Sequence, residues 1–353
     1  MIKIGIIGAG SISKSHIDAY QKNPNVEIYS FCDINEARLR EMGETYGITR
    51  LFTDINEMLA DPELQAVSVC TSNSFHAPCS IAAMRAGKDV LCEKPMATNV
   101  ADALNMKRVS EETGKLLMIG FVRRFGCDCK ILKDFVDNGY LGDIYYAKAR
   151  YMRRHGCPGG WFSNGAISGG GPLIDLGVHI MDLTRYLMGS PKPVSVYGAT
   201  FNKLRDRPDT KSANPCYAAT SGLDEKVFDV EDLATAMVRY DNGAILQLET
   251  CFSINMEGAG GDDIELFGTK AGAKLDPSLK IAMDINGYMT NVTFCDETAL
   301  TFDGLFEGEI NHFADCIEKK TTCISTPDDG IMIMRIIEAI YESAKTGHEV
   351  TID

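Results

Sequence analysis

Two periods of apolar spacing divide the chain. Ile2 to Ile7 is an apolar run broken only by Lys3 and Gly5, which suits a strand buried on both faces. Beyond Gly8-Ala9-Gly10-Ser11-Ile12-Ser13, helical spacing carries through Ile17 and Tyr20 to Asn23-Pro24. The same alternation then repeats: strand 26–32, helix 35–46, short strand 51–52, helix 55–60, strand 66–70 and a helix ending at Gly87. Residues 88–92 form an apolar strand that enters Glu93-Lys94 and stops at Pro95, which cannot continue a hydrogen-bond ladder. A helix over 99–113 closed by Gly114 and a strand over 116–119 complete the series. Strands alternating with helices of this length predict an α/β Rossmann domain, a doubly wound parallel sheet.

From Gly120 the texture changes. An amphipathic helix over 130–138 precedes longer segments with two-residue alternation at 144–151, 194–201, 233–240, 244–252 and 263–267. Asp241-Asn242-Gly243 between two of them is a hairpin signal. These segments predict an α+β domain on one large, mainly antiparallel sheet. Helices over 306–319 and 328–345 and a strand over 350–352 end the chain. The boundary is placed so that 1–121 binds the dinucleotide and 122–353 binds substrate and forms subunit contacts, with the last helix able to pack back on the first domain. Residues 203–229 form a long polar segment, a functional loop or a subunit-contact arm.

Length agrees with two domains, since 353 residues exceed one compact core. Lys plus Arg number 35 against 49 Asp plus Glu, a net charge of −14, with no basic stripe. That argues against nucleic acid or an anionic membrane as partner. No apolar run approaches the about 18 residues of a membrane span, and Met1 to Gly8 breaks into glycines without the cleavage site of a signal peptide. Twelve cysteines scattered through apolar segments read as reduced thiols of a cytoplasmic protein. Cys127, Cys129 and Cys157 with His155 match no usual zinc spacing, so no metal is expected.

The chemistry concentrates in two places. Gly8 permits a tight turn, Gly10 lets a pyrophosphate approach the backbone, and a helix from Ser11 and Ile12 turns its amides toward the phosphates. Asp33, at the end of the second strand and 23 residues after Gly10, suits hydrogen bonds from the adenosine ribose; no Arg follows it at once, which favours NAD over NADP. A plain turn aspartate would occupy the same position. Thr71, Asn73 and Lys94 fall at carboxyl ends of strands, where α/β sheets bind ligands. His76 lies just inside a helix start, where capping or packing competes with cofactor contact. The second place is Ser168-Gly169-Gly170-Gly171-Pro172, followed by a helix with Leu176, Ile180, Leu183 and Leu187 on one face. Asp175 and His179, four apart, stack on another face, and Asp182 is placed to bond the other ring nitrogen of His179.

Taken together, Gly8-Ala9-Gly10, Asp33, Thr71-x-Asn73-x-x-His76, Ala86-Gly87-Lys88, Glu93-Lys94-Pro95, Gly120-Phe121-x-Arg123-Arg124 and Gly170-Gly171-x-Leu173-x-Asp175-x-Gly177-x-His179 resemble the Gfo/Idh/MocA family of sugar and polyol dehydrogenases. The resemblance covers essentially the whole chain and is closest to inositol-dehydrogenase-like members. It implies an open-faced sheet in the second domain, a cis Lys94-Pro95 peptide and a homo-dimer or homo-tetramer built on the sheet face. By residue-wise transfer it implies a catalytic set of Lys94, Asp175 and His179. It further implies cofactor contacts at Gly8, Gly10, Ser11, Ile12, Asp33, Thr71, Asn73, His76, Glu93 and Lys94, and substrate contacts at Arg123, Arg124, Trp161, Asp175 and His179. Gly126-Cys127-Asp128-Cys129 and the 203–229 segment depart from the family pattern.

The expected reaction is reversible hydride transfer between a secondary hydroxyl of a sugar, polyol or glycoside and NAD. His179 is expected as the base, Asp175 as the group that holds substrate, and Lys94 as the cation on the reacting oxygen; the roles of Lys94 and His179 are exchangeable. Two other readings stand beside it: a glycosidase or lyase that recycles its NAD, and a non-catalytic NAD- or sugar-sensing protein.

Overall fold

The chain opens with β1 (Ile2–Ile7), α1 (Ser11–Gln21), β2 (Val26–Cys32), α2 (Glu36–Tyr46), β3 (Leu51–Phe52) and α3 (Ile55–Leu59). It continues through β4 (Ala66–Val69), α4 (His76–Arg85), β5 (Asp89–Glu93), α5 (Val100–Thr113) and β6 (Leu117–Gly120). A computed structural model describes residues 1–204, 227–258, 260–275, 278–295 and 302–352. Two units divide the chain: Met1–Val122 joins Asp303–Met334 in the first, and the second holds most of 123–302 together with the segment from Arg335 onward.

In the first unit the strand order is β3-β2-β1-β4-β5-β6, parallel throughout. The order reverses between β1 and β4, which puts a ligand crevice at the carboxyl ends of those strands. Ile4, Val67 and Leu91, from three neighbouring strands, have no exposed surface, as helices on both faces of a parallel sheet require. Local chemistry fixes the helix ends. Asn35, Asp54 and Asn99 accept amide hydrogens at the starts of α2, α3 and α5, and Gly47 and Gly114 end α2 and α5 in left-handed conformation. At α1 the cap position is Gly10, and no side chain caps it.

The second unit contains α6 (Cys127–Asp137), β7 (Ile144–Arg153), α7 (Gly165–Ser168), α8 (Val178–Leu187), β8 (Pro193–Phe201), β9 (Leu233–Tyr240) and β10 (Ile245–Cys251). Next come β11 (Gly260–Gly268), β12 (Ala271–Leu275), β13 (Leu279–Ile285) and β14 (Tyr288–Val292), then α9 (Phe302–Glu318), α10 (Pro327–Thr346) and β15 (Val350–Thr351). The nine-stranded sheet runs β14-β13-β12-β11-β7-β10-β9-β8-β15. It is antiparallel except where β10 pairs β7 in parallel. Along β9, Ala234, Ala236, Val238 and Tyr240 are buried while Met237 is 46 % exposed, so one sheet face is packed and the other carries exposed side chains.

The strands β12 to β14 have no counterpart among the expected elements. Ala271, Ala273 and Leu275 alternate along β12 and Leu279, Ile281 and Met283 along β13, but β12 is short and β14 is mostly exposed, and the three are held as successive hairpins by pairing in register. The helix expected after Pro172 begins instead with a widened π-type turn over Leu173–Gly177 before α8. α9 and the start of α10 belong to the first unit, and the rest of α10 to the second. The long polar segment falls mostly on 205–226, outside the described residues. No helix among the described residues is long and apolar enough to cross a membrane.

Candidate active site

The dinucleotide-binding half is built on the first unit. Gly8 follows β1 with φ of +95°, and a Cβ there would lie 2.7 Å from the Cys70 carbonyl oxygen and 2.9 Å from the Thr71 nitrogen. Only glycine fits that approach of the β1 and β4 ends. The Asp33 carboxylate braces the turn from the other side: it accepts the Ala9 amide at 2.7 Å through Oδ2 and the Asn35 amide at 2.7 Å through Oδ1. Asp33 therefore serves the turn, and each oxygen keeps a second lone pair for a ribose hydroxyl. Arg38, in the first turn of α2, places Nη1 3.9 Å from Asp33 Oδ2. Sequence reading looked for an arginine directly after Asp33 and missed this one, which the first helical turn carries back.

The carboxyl end of β4 supplies the next group. Thr71 Oγ1 is buried with no hydrogen-bond partner among the described residues, a position that suits a water or a bound group. Asn73 is 4 % exposed in the following tight turn. His76 lies elsewhere in the scheme: its Nδ1 is 2.7 Å from the Pro95 carbonyl oxygen and its Nε2 3.0 Å from that of Thr71. Burial pushes the His76 pKa down in spite of those two carbonyls, so the ring is neutral and donates one proton, assigned to the shorter contact. Its one N–H bonds the Pro95 carbonyl, and the unprotonated Nε2 lies beside the Thr71 carbonyl oxygen. Glycine turn, uncapped helix start and orphan hydroxyl at one sheet edge fit a dinucleotide.

At β5, Lys94 is half-buried, its amide donates to Glu93 Oε2 at 3.1 Å, and the Lys94-Pro95 peptide is cis. Glu93 points inward, to His16 on α1, which donates from Nε2 to Oε1 at 2.7 Å. His16 Nδ1 lies 3.3 Å from Ser68 Oγ, and the Tyr20 hydroxyl meets the same oxygen at 2.8 Å. Glu309 of α9 completes this cluster; it is fully buried, and neither carboxylate oxygen has a partner among the described residues. Burial and the Glu93 charge push the Glu309 carboxyl far above its ordinary range. Burial also acts against Glu93, but the His16 hydrogen bond and the charges of His16 and Lys94 hold it below. Glu93 is the anion and Glu309 the neutral acid of the pair. Glu93, expected at the cofactor, accepts the His16 ring and the Lys94 amide and so anchors the turn that presents Lys94.

The second unit holds the other cluster. Asp175 is 7 % exposed within the widened turn and His179 is half-buried in the first turn of α8. The wider turn brings residues four apart closer to eclipsed than a regular helix does. The glycine loop before them is clamped by Glu231, whose Oε2 accepts the Gly171 amide at 3.0 Å and whose Oε1 accepts the Leu173 amide at 3.1 Å and the Tyr341 hydroxyl at 3.0 Å. A Cβ at Gly170 would overlap the Tyr341 hydroxyl, and one at Gly171 the Glu231 backbone carbonyl. Burial raises the Glu231 carboxyl above its usual value against the pull of these donors. Glu231 and Tyr341 carried no signal on their own in the sequence.

Three expected substrate contacts have other surroundings. Arg124, 2 % exposed, holds both oxygens of Asp182, with Nε donating to Oδ2 at 2.8 Å, and its guanidinium lies 4.6 Å from the Tyr186 ring centre. Asp182 was expected to serve His179; its carboxylate receives the Arg124 guanidinium, and a charge pair this buried is a structural tie. Arg123 pairs with Asp262 and sits over Tyr151. Trp161 stacks on Phe162 at 3.8 Å between ring centres.

The profile of the oxidoreductase family with an NAD-binding Rossmann fold, GFO_IDH_MocA, matches residues 2–121, and the profile of the family's C-terminal alpha/beta domain matches 133–352. The chain belongs to the Gfo/Idh/MocA family. D-glucoside 3-dehydrogenase of Escherichia coli (strain K12) is 33 % identical across 99 % of this chain and 97 % of its own. Among solved structures, levoglucosan dehydrogenase in complex with NADH superposes with a TM-score of 0.87 at 22 % identity, covering 100 % of this chain and 99 % of that one. Aldose-aldose oxidoreductase from Caulobacter crescentus, complexed with glycerol, gives a TM-score of 0.82 at 26 % identity over 99 % of each chain. As a Gfo/Idh/MocA member with an intact glycine turn, the protein is an oxidoreductase that takes a nicotinamide dinucleotide.

Proposed function

We propose that the protein oxidises a secondary hydroxyl of a sugar or glycoside, or reduces the matching ketone, with NAD as partner. The observation that carries this reading is Lys94, held at the carboxyl end of β5 by the Glu93 anchor, on the side of the sheet where the strand ends also bear the glycine turn. The similarity to a D-glucoside 3-dehydrogenase over nearly the full length supports a pyranoside as the substrate class.

The bound nicotinamide ring supplies the hydride acceptor. Lys94, as an ammonium, donates to the reacting oxygen and stabilises charge that develops there. His179 takes the hydroxyl proton on a ring nitrogen, and Asp175 accepts a hydrogen bond from a neighbouring sugar hydroxyl and orients the ring. Thr71 Oγ1 and Asn73 hold the dinucleotide, and Asp33 favours a free 2′-hydroxyl over a 2′-phosphate. Arg123 and Trp161 contribute at the rim through their exposed parts. A homo-oligomer formed through the exposed sheet face fits the alternation along β9.

The test is a panel of methyl glycosides, free hexoses and inositols, each with NAD and with NADP, followed by dinucleotide absorbance. Net NADH formation with a glycoside or hexose is the expected result. Turnover of a glycoside with bond cleavage and no net NADH would replace the reading with one in which the cofactor is recycled.

A further inference from the structure

The end of the first unit opposite Lys94 carries a second cluster. His312 and Cys316 are four apart on α9, so both project from one face of the helix, and the chain turns after Glu318 and returns Cys323 to the same place. His312 Nε2, Cys316 Sγ and Cys323 Sγ all lie within 4.8 Å of one another, and the Cys316–His312 separation is 3.5 Å. A tetrahedral zinc ion with bonds of about 2.3 Å to sulfur and about 2.0 Å to nitrogen holds its ligand atoms roughly 3.5–3.8 Å apart. The Cys316–His312 pair is therefore already at coordination spacing, and Cys323 Sγ needs to close by no more than about 1 Å.

We propose that His312, Cys316 and Cys323 form a binding site for one thiophilic metal ion, with Zn²⁺ the ion of best fit. Two further observations favour it. The tautomer is correct: Ile324 donates its amide to His312 Nε2 at 3.1 Å, so this nitrogen bears the lone pair a metal needs and the proton sits on Nδ1. An ion takes over that lone pair, and the released amide stands next in sequence to Cys323, whose thiolate can accept it. Access is also provided, because His312 and Cys323 are half-buried and a cavity of about 390 Å³ lies beside Cys316 and Cys323, lined also by Asp89, Lys115 and Lys320. Binding releases two thiol protons to solvent and leaves a site of zero net charge, which suits partial burial. A water completes the fourth position.

Asp89 begins β5 and Lys94 follows its end, so the site is a full strand away from the reacting groups. Its effect is structural: it staples the α9 end to the 323–325 segment, where Ser325 donates its hydroxyl to the Ile119 carbonyl and Ile119 donates its amide to the Ser325 carbonyl, at the edge strand β6. Spacing alone did not reveal it, since His-x₃-Cys-x₆-Cys matches no standard zinc signature and the fold supplies the return of Cys323.

The test uses the full chain, purified reduced and stripped with a chelator, then titrated with Zn²⁺ and, separately, with Co²⁺. The expected result is one ion per chain, a sulfur-to-cobalt charge-transfer band, and a thermal midpoint that rises with Zn²⁺. Cys316→Ser/Cys323→Ser should lose the band and bind at least roughly 100-fold more weakly, and His312→Ala at least about 10-fold more weakly, since losing a ligand costs no less than losing an outer-shell partner. Cys127→Ser, an exposed thiol outside the cluster, should bind as the parent does. Absence of stoichiometric binding in the parent overturns the proposal whatever the variants do. So does equal binding by the double-serine chain, or a Cys316–Cys323 disulfide that forms in place of metal uptake.

Discussion

Glu309 and Glu93 share one buried pocket, His16 holding the second carboxylate while the first has no partner among the described residues. Burial and the neighbouring charge raise the Glu309 pKa in the folded protein well above its model-peptide value of 4.5. The native state then keeps a proton that the unfolded chain has lost, so this stabilisation is full below about 4.5 and is lost as pH rises toward the raised value. In that window one such group lowers stability by about 1.4 kcal/mol per pH unit. Glu309→Gln should remove this slope, leaving the variant comparable to the parent near pH 5 and more stable above pH 7. Urea unfolding at a series of pH values checks it; parallel profiles for the two proteins would show that Glu309 does not hold the proton.

Glu231 accepts three hydrogen bonds from the segment before Asp175 and from Tyr341. Truncation to Ala strands two buried amides at roughly 1–3 kcal/mol each. Glu231→Ala should therefore lose several kcal/mol of stability, while Tyr341→Phe, which leaves both amide bonds, should lose about 1 kcal/mol. Tyr341→Phe should also lower kcat more than it weakens dinucleotide binding, since the clamp belongs to the Asp175 side. Unchanged kcat in a folded Tyr341→Phe protein would separate the clamp from the chemistry.

Arg124 and Asp182 make the same kind of point about stability. Removing one member of a buried pair costs about 3–5 kcal/mol, because the other charge stays buried alone. Arg124→Met should be strongly destabilised, and Arg124→Met/Asp182→Leu should recover most of that loss. An Arg124→Met protein of normal stability with a raised KM would return Arg124 to the substrate.

Arg38 stands near enough to Asp33 to answer a 2′-phosphate once the carboxylate is neutralised. Asp33→Asn should shift the NAD/NADP preference in kcat/KM toward NADP by about tenfold or more, equal to about 1.4 kcal/mol, and Asp33→Asn/Arg38→Ala should lose that gain. A parent that prefers NADP outright would contradict the role given to Asp33.

Much of this was legible in the sequence where one local rule governs one residue. Gly8 marks the turn because its neighbours admit no Cβ and its φ is +95°, and Pro95 marks the end of β5 because it lacks a donor. The apolar spacing of α8 placed Asp175 and His179 on one side. Roles that depend on partners distant in sequence were hidden. Asp182 looks like a helper for His179 by helical spacing, yet Arg124, 58 residues earlier, claims it. Glu231, Tyr341 and Glu309 are ordinary surface residue types whose meaning appears only when burial leaves them a few named contacts. The strands β12 and β13 do alternate, but β12 is five residues long and β14 is mostly exposed, so hairpin pairing more than side-chain pattern defines them.

Lys94 carries the central claim, and one comparison tests it most directly: kcat and dinucleotide affinity of Lys94→Ala beside the parent, on whichever glycoside or hexose the panel shows to be reduced or oxidised. Loss of a group that steadies charge on the reacting oxygen should lower kcat by about 10²–10³, with the dissociation constant for NAD changed less than about threefold. Turnover near the parental rate in a Lys94→Ala protein that still binds NAD would contradict the account.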